Sequence, residues 1–312
     1  MVFADLKNDF VFRRIFGKHP DILCGLLNDL LDRRGDRAID AIEYLPSEQL
    51  PLVAGAKLSI LDVRCRDRAG TTFVVEMQLL HIAGFMSRVV YNACKVYVDQ
   101  LKQGEPYAKL ADVVAISICD FVLWPDAEQD DAKLPRVPML SRWNMTEQAS
   151  GTRGLLQVQY AFLELPKLPE GRPETGADLW AWLFVHAPEM TEMPVDLPPG
   201  VYRAAVEFAN EATFTSLELD AYRRVMDEIQ QAREYGEAKE AEGEARGEAR
   251  GEARGKVAAK GAAILAILEA RGIALGTETG ARIAACADVA TLDRWITRAA
   301  VATSAEEVIA GT

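Results

Sequence analysis

The 312-residue sequence predicts an α/β domain followed by a helical C-terminal extension, and three observations carry that prediction. Residues 58–80, LSILDVRCRDRAGTTFVVEMQLL, alternate apolar and polar positions in two runs joined by a glycine-containing turn. Helical periodicity brackets this pair on both sides, and an unbroken apolar, β-branched stretch follows. Each element has a local reason.

From Asp21 to Arg34, Ile22, Leu23, Leu26, Leu27, Leu30 and Leu31 share one helical face, and the arginines and Gly35 suit a helix C-terminus. Ile39 to Leu45 is a candidate first strand. In the first alternating run Leu61, Val63 and Cys65 are apolar opposite Asp62 and Arg64; in the second, Phe73, Val75, Met77 and Leu79 oppose Glu76 and Gln78. Asp67-Arg68-Ala69-Gly70-Thr71 reads as a three-residue hairpin loop, with Gly70 supplying the positive φ of a bulge. Pairing Asp67 with Thr71 sets Asp62 against Glu76, with β-carbons about 5 Å apart. Gly84 to Lys102 reads as a helix burying Phe85, Val89, Ala93, Val96 and Leu101 and stopped by Gly104; its stripe Arg88, Asn92, Lys95 and Asp99 is expected to face solvent. Val113 to Trp124, ended by Pro125, is expected as a buried strand, and the prolines at 135–138 and 166–173 as loops.

Residues 1–235 are read as this main domain with a helical accessory region. Val201 to Tyr235 is helix-rich and leads into GEARGEARGEARGK, Gly243 to Lys256, where like charges recur every fourth residue and glycine weakens a lone helix. The expectation for 236–256 is a pliable charged linker, and for 257–312 a small helical module serving self-association or docking to a partner protein.

Two carboxylates as close as Asp62 and Glu76 repel unless positive charge lies between them. Mg²⁺ would supply it, since it takes oxygen ligands and is usually held by only one or two carboxylates. On spacing alone the same face also fits the wet side of an ordinary antiparallel sheet. Asp9 stands between two readings, a helix N-cap or a further group reaching the carboxylates. The three histidines, His19, His81 and His186, are scattered, and no serine or cysteine has a partner pattern for nucleophilic chemistry.

Asp62, Glu76 and Gln78 resemble the D…ExK signature of PD-(D/E)XK nucleases, and the surrounding blocks resemble the PD-(D/E)XK family transposases, or Rpn-like recombination-promoting nucleases. The blocks are KNDFVFRRIFG (Lys7 to Gly17), LDV and VVEMQ, Ser87 to Phe121, QYAFLELPKLP (Gln159 to Pro169) and the segment of Trp180 and Trp182. The resemblance implies a restriction-endonuclease-like mixed sheet flanked by helices. It also implies a Mg²⁺-dependent DNA endonuclease, with Mn²⁺ able to substitute, that promotes recombination or acts in mobile-element biology. Carried over residue by residue, it makes Asp62, Glu76 and Gln78 catalytic, Asp62 and Glu76 the metal ligands, and Asp9, Arg88 and Tyr91 accessory. Gln78 stands where the usual signature has lysine; a neutral amide cannot act as a general base. A reading of another class is a non-catalytic nucleic-acid-binding or assembly protein on the same scaffold.

The net charge of −12 looks adverse for a DNA enzyme, but residues 1–110 carry 15 Lys+Arg against 14 Asp+Glu, so the acidity lies beyond them. The N-terminal residues lack a signal-peptide core and no apolar run is long enough to span a bilayer, so a cytoplasmic protein with no membrane contact is expected. Five cysteines without a CxxC pair suit buried thiols in a reducing compartment.

Overall fold

A computed structural model describes residues 2–49, 59–126 and 136–310. The predicted hairpin's first residue, Leu58, and Pro135 of the proline-rich loop lie outside the described residues. The chain divides into two compact units, Met1–Gln231 and Ala232–Thr312.

The first unit runs α1 (Asp9–Phe16), α2 (Pro20–Leu31), β1 (Ile42–Tyr44), β2 (Glu48–Gln49), β3 (Ser59–Ile60), β4 (Val63–Asp67), β5 (Thr72–Gln78), α3 (Phe85–Val98), β6 (Val113–Cys119), β7 (Leu140–Trp143), β8 (Val158–Glu164), α4 (Gly176–His186) and α5 (Val201–Ala209). Six strands form one sheet in the order β1-β4-β5-β6-β8-β7, while β2 and β3 pair separately. The central strands β5, β6 and β8 are parallel, and β1, β4 and β7 are antiparallel to their neighbours, so the sheet is mixed. All seven residues of β6 are buried, which explains why its sequence is apolar at every position but Ser117 rather than alternating.

The hairpin has the expected register. Val63 faces Val75, Cys65 faces Phe73 and Arg66 faces Thr72. Asp67 N–H donates to Thr71 O at 3.0 Å, and Gly70, at φ 94°, donates to Asp67 O at 3.1 Å. That backbone conformation requires glycine. Val63, Cys65, Phe73, Val75 and Met77 pack into the larger core with α1, α2, α4 and α5, whereas Val74 joins α3 in a smaller core on the other face. Leu61 departs from the predicted alternation. The chain bends at Asp62, ahead of β4, and Leu61 packs with α3.

Three further expectations are corrected. Helix α2 stops at Leu31, earlier than the arginines, because Asp32 adopts the left-handed conformation at φ 51° and donates its N–H to Asn28 O. Helix α3 stops at Val98, which leaves Leu101 outside it. The polar stripe of α3 is not a solvated face, since Asn92 is 5% and Lys95 7% exposed. Two of its members meet the end of the hairpin, Arg88 donating to Gln78 and Asn92 to Glu76.

The repeat is helical, where the sequence favoured a pliable coil: α6 is continuous from Ser216 to Ala270. Alanine, glutamate and arginine are strong helix formers, and i,i+4 pairs Glu242–Arg246 and Glu252–Lys256 add support at its two ends. In the second unit α7 (Thr277–Ala285), α8 (Val289–Ala299) and α9 (Ala305–Ile309) close with the end of α6 around Ile264, Leu268, Ile283, Leu292, Trp295 and Val308. Among the described residues, no helix is long and apolar enough to cross a membrane.

Candidate active site

The hairpin register, carried one step beyond Val63–Val75, sets Asp62 against Glu76. Asp62 does not continue the ladder with its backbone. Its side chain does so instead, because Oδ2 accepts from Met77 N–H at 2.9 Å and pins the carboxylate to β5. Oδ1 accepts from Arg13 Nη2 at 2.7 Å. Glu76, only 8% exposed, accepts at Oε1 from Asn92 Nδ2 at 3.1 Å. Burial, and next the charge of Asp62, push the Glu76 carboxyl above the usual carboxylate range; Arg88 and the Asn92 hydrogen bond pull in the opposite direction.

The alternatives for Asp9 are separated by its neighbour. Asn8 is the N-cap of α1, accepting from the N–H groups of Phe10 and Val11, so Asp9 is not the cap. Burial, then the charge of Asp62, push its carboxyl up, while Arg13 lowers it. Asp9 therefore feels the same carboxylate that Glu76 does, although it comes from a helix more than fifty residues earlier in the chain.

Gln78 ends β5 and accepts at Oε1 from Arg88 Nη2. Arg88 also lies over the Phe85 ring at 5.7 Å. Tyr91, on the same helix, is 45% exposed and makes no hydrogen bond among the described residues. His81 packs against the rings of Phe121 and Phe85, as suits a loop residue. The structure thus gathers Asp9, Asp62, Glu76, Gln78 and Arg88 and leaves Tyr91 apart. Sequence reading did not select Arg13 and Asn92. The available signals were helical spacing, Arg13 one turn after Asp9 and Asn92 one turn after Arg88.

Among the described residues no group of three or more His, Cys, Asp and Glu side chains forms an ion cage. The donor set nevertheless fits a hard cation. Asp62 Oδ1 and Glu76 Oε2 are carboxylate oxygens on cross-strand neighbours; the first is shared only with Arg13 and the second has no hydrogen bond among the described residues. Burial first, and the Asp62 charge second, raise Glu76 and Asp9, and a positive charge held among them relieves the second of these.

A mixed sheet whose hairpin presents paired carboxylates between flanking helices defines a restriction-endonuclease-like protein. The family of PD-(D/E)XK nuclease family transposases matches residues 6–235, and the chain belongs to it. No curated protein and no solved structure matches the chain.

Proposed function

We propose that the protein is a metal-dependent DNA endonuclease that hydrolyses phosphodiester bonds, with Mg²⁺ as the ion and Mn²⁺ as a substitute. The observation that carries this reading is the buried Glu76 carboxyl, set by the hairpin register against Asp62 and pushed up by burial first and by the Asp62 charge second. A fold that places two like charges there is arranged for a cation.

Asp62 and Glu76 would hold the ion, and Asp9 would orient water beside it. A divalent ion so placed polarises a phosphate and lowers the pKa of attacking water. The protein's own groups do the positioning. The Met77 N–H fixes one Asp62 oxygen and leaves the other toward the site. Asn92 does the same for Glu76. Gln78 cannot remove a proton, but its amide oxygen holds the Arg88 guanidinium, which supplies the positive charge that lysine brings to the usual signature. The phosphate of the substrate would meet Arg88 at that point. The family's name supports a role in recombination or mobile-element biology, and the helical second unit is the candidate surface for self-association or a partner protein.

Cleavage of supercoiled plasmid with Mg²⁺, Mn²⁺, Ca²⁺ or EDTA, using wild type beside Asp62→Ala and Glu76→Ala, tests this. Nicking or linearisation that requires Mg²⁺ or Mn²⁺ and falls at least about a hundredfold in both folded variants supports it. Binding without cleavage under every condition, or cleavage that survives both substitutions, refutes it in favour of a non-catalytic nucleic-acid-binding protein.

A further inference from the structure

Arg13 and Arg14 are neighbours on α1 with opposite fates. Arg14 is fully engaged: Nε donates to Phe208 O at 3.4 Å, Nη2 to Thr213 O and Oγ1 at 3.3 Å, Nη1 pairs with Glu218, and the guanidinium lies 4.6 Å from the Phe214 ring centroid. Its side chain is 15% exposed and fixes α1 to the following helices. Arg13 has a side chain 46% exposed and a single hydrogen bond among the described residues, to Asp62 Oδ1. That oxygen is the one the Met77 N–H leaves open. The same atom is therefore both the one protein anchor of Arg13 and the Asp62 atom best placed to ligate a cation.

We propose that Arg13 and a divalent cation are alternative partners of Asp62, so that cation binding turns the Arg13 guanidinium from the carboxylate to a DNA phosphate. This rests on the nuclease reading above. Electrostatics support it: a divalent ion beside Asp62 and Glu76 adds positive charge where the phosphates of a duplex would approach. Two cations on one oxygen repel, so the ion's arrival weakens the Arg13 contact as it frees the side chain for the substrate. Arg13 is short of nothing in packing: its helix is held by the buried Val11, Phe12, Ile15 and Phe16, and the half-exposed guanidinium has room to move. The result is a site whose affinity for DNA rises with metal occupancy.

The test reads metal and DNA binding separately. Mn²⁺ binding to the full chain is measured by calorimetry for wild type, Arg13→Ala, Arg13→Lys and, as a site control, Asp62→Ala. Binding of a labelled duplex is followed in EDTA and in Ca²⁺, an oxygen-seeking cation, over a salt series. Arg13→Ala should bind Mn²⁺ about two- to fivefold more tightly, because a competing exposed ion pair is gone. It should match wild type for duplex in EDTA, bind more weakly in Ca²⁺, and there show a salt slope smaller by about one. Arg13→Lys should restore both behaviours. Unchanged or weaker Mn²⁺ binding by Arg13→Ala, equal duplex losses in EDTA and Ca²⁺, no loss in either, or failure of Arg13→Lys to rescue each overturns the exchange. Mn²⁺ binding that is absent in wild type, or kept in Asp62→Ala, refutes the metal site itself and this proposal with it.

Discussion

Glu76→Gln should stabilise the protein while abolishing cleavage. Glu76 is buried beside Asp62 and its carboxyl is pushed up, by burial first and by Asp62 second. A group raised in the folded state stabilises the fold fully only below its unfolded value, and that contribution is lost as pH rises through the raised folded value. Above that value the charge on Glu76 is therefore a net cost. Two unit charges about 5 Å apart at an effective dielectric constant of about 20 repel by about 3 kcal/mol. Attraction to Arg88 and the pairing of Asp62 with Arg13 offset part of this, which leaves a gain of about 1–2 kcal/mol on substitution. The amide keeps an oxygen for Asn92, and its NH2 group finds an acceptor in the neighbouring Asp62 carboxylate, whose charge already acts on this position. For a unit of this size that gain corresponds to a rise in melting temperature of about 2–8 °C. Thermal unfolding followed by tryptophan fluorescence, at pH 7.5 and again at pH 4, measures it. The difference should close as pH falls into and below the ordinary carboxylate range, and Mg²⁺ should raise the melting temperature of wild type but not of the variant. A variant less stable than wild type at pH 7.5, or a difference independent of pH, would refute the reasoning.

Two further predictions concern the scaffold. A Cβ at Gly176 would collide with the Asp29 carboxylate, which accepts from Trp180 Nε1 at 2.9 Å and Tyr202 Oη at 2.5 Å and pairs with Arg34; Gly176→Ala should cost about 2–4 kcal/mol in chemical denaturation while leaving Mn²⁺ binding at the proposed site unchanged. Burial pushes the Cys65 thiol up to about 12 and the Cys24 and Cys119 thiols above their ordinary value, whereas Cys94 is exposed. Iodoacetamide at pH 8 should thus label Cys94 of the native protein and spare Cys24, Cys65 and Cys119 until it unfolds, as mass spectrometry of peptides would show.

The hairpin was legible because its information is local. Alternation assigns the faces, Gly70 assigns the loop, and the loop assigns the register that sets Asp62 against Glu76. What lay beyond a few residues was not legible. Asn92 and Lys95 read as a solvated stripe because a helix's polar face names no partner, and only the packing of α3 buries both and brings Asn92 to Glu76. Arg13 is separated from Asp62 by 49 residues, so its pairing depends on how α1 meets the sheet end. The helical repeat failed for another reason. Its glycines argued against a lone helix, but this one continues an existing helix and does not need its own nucleus.

The chemistry of the site and the stability of the fold are coupled through one register. Val63, Cys65, Phe73, Val75 and Met77 all bury on the side of the larger core, and burial of such a side chain is worth about 1.5–3 kcal/mol. A slip of one residue in β5 would move Phe73, Val75 and Met77 to the α3 side and Glu76 into the larger core at once. The core therefore enforces a placement of charge that electrostatics alone would reject. This is why a repulsive carboxylate pair persists in the folded chain, and why relieving it at Glu76 should strengthen the fold at the expense of the proposed reaction.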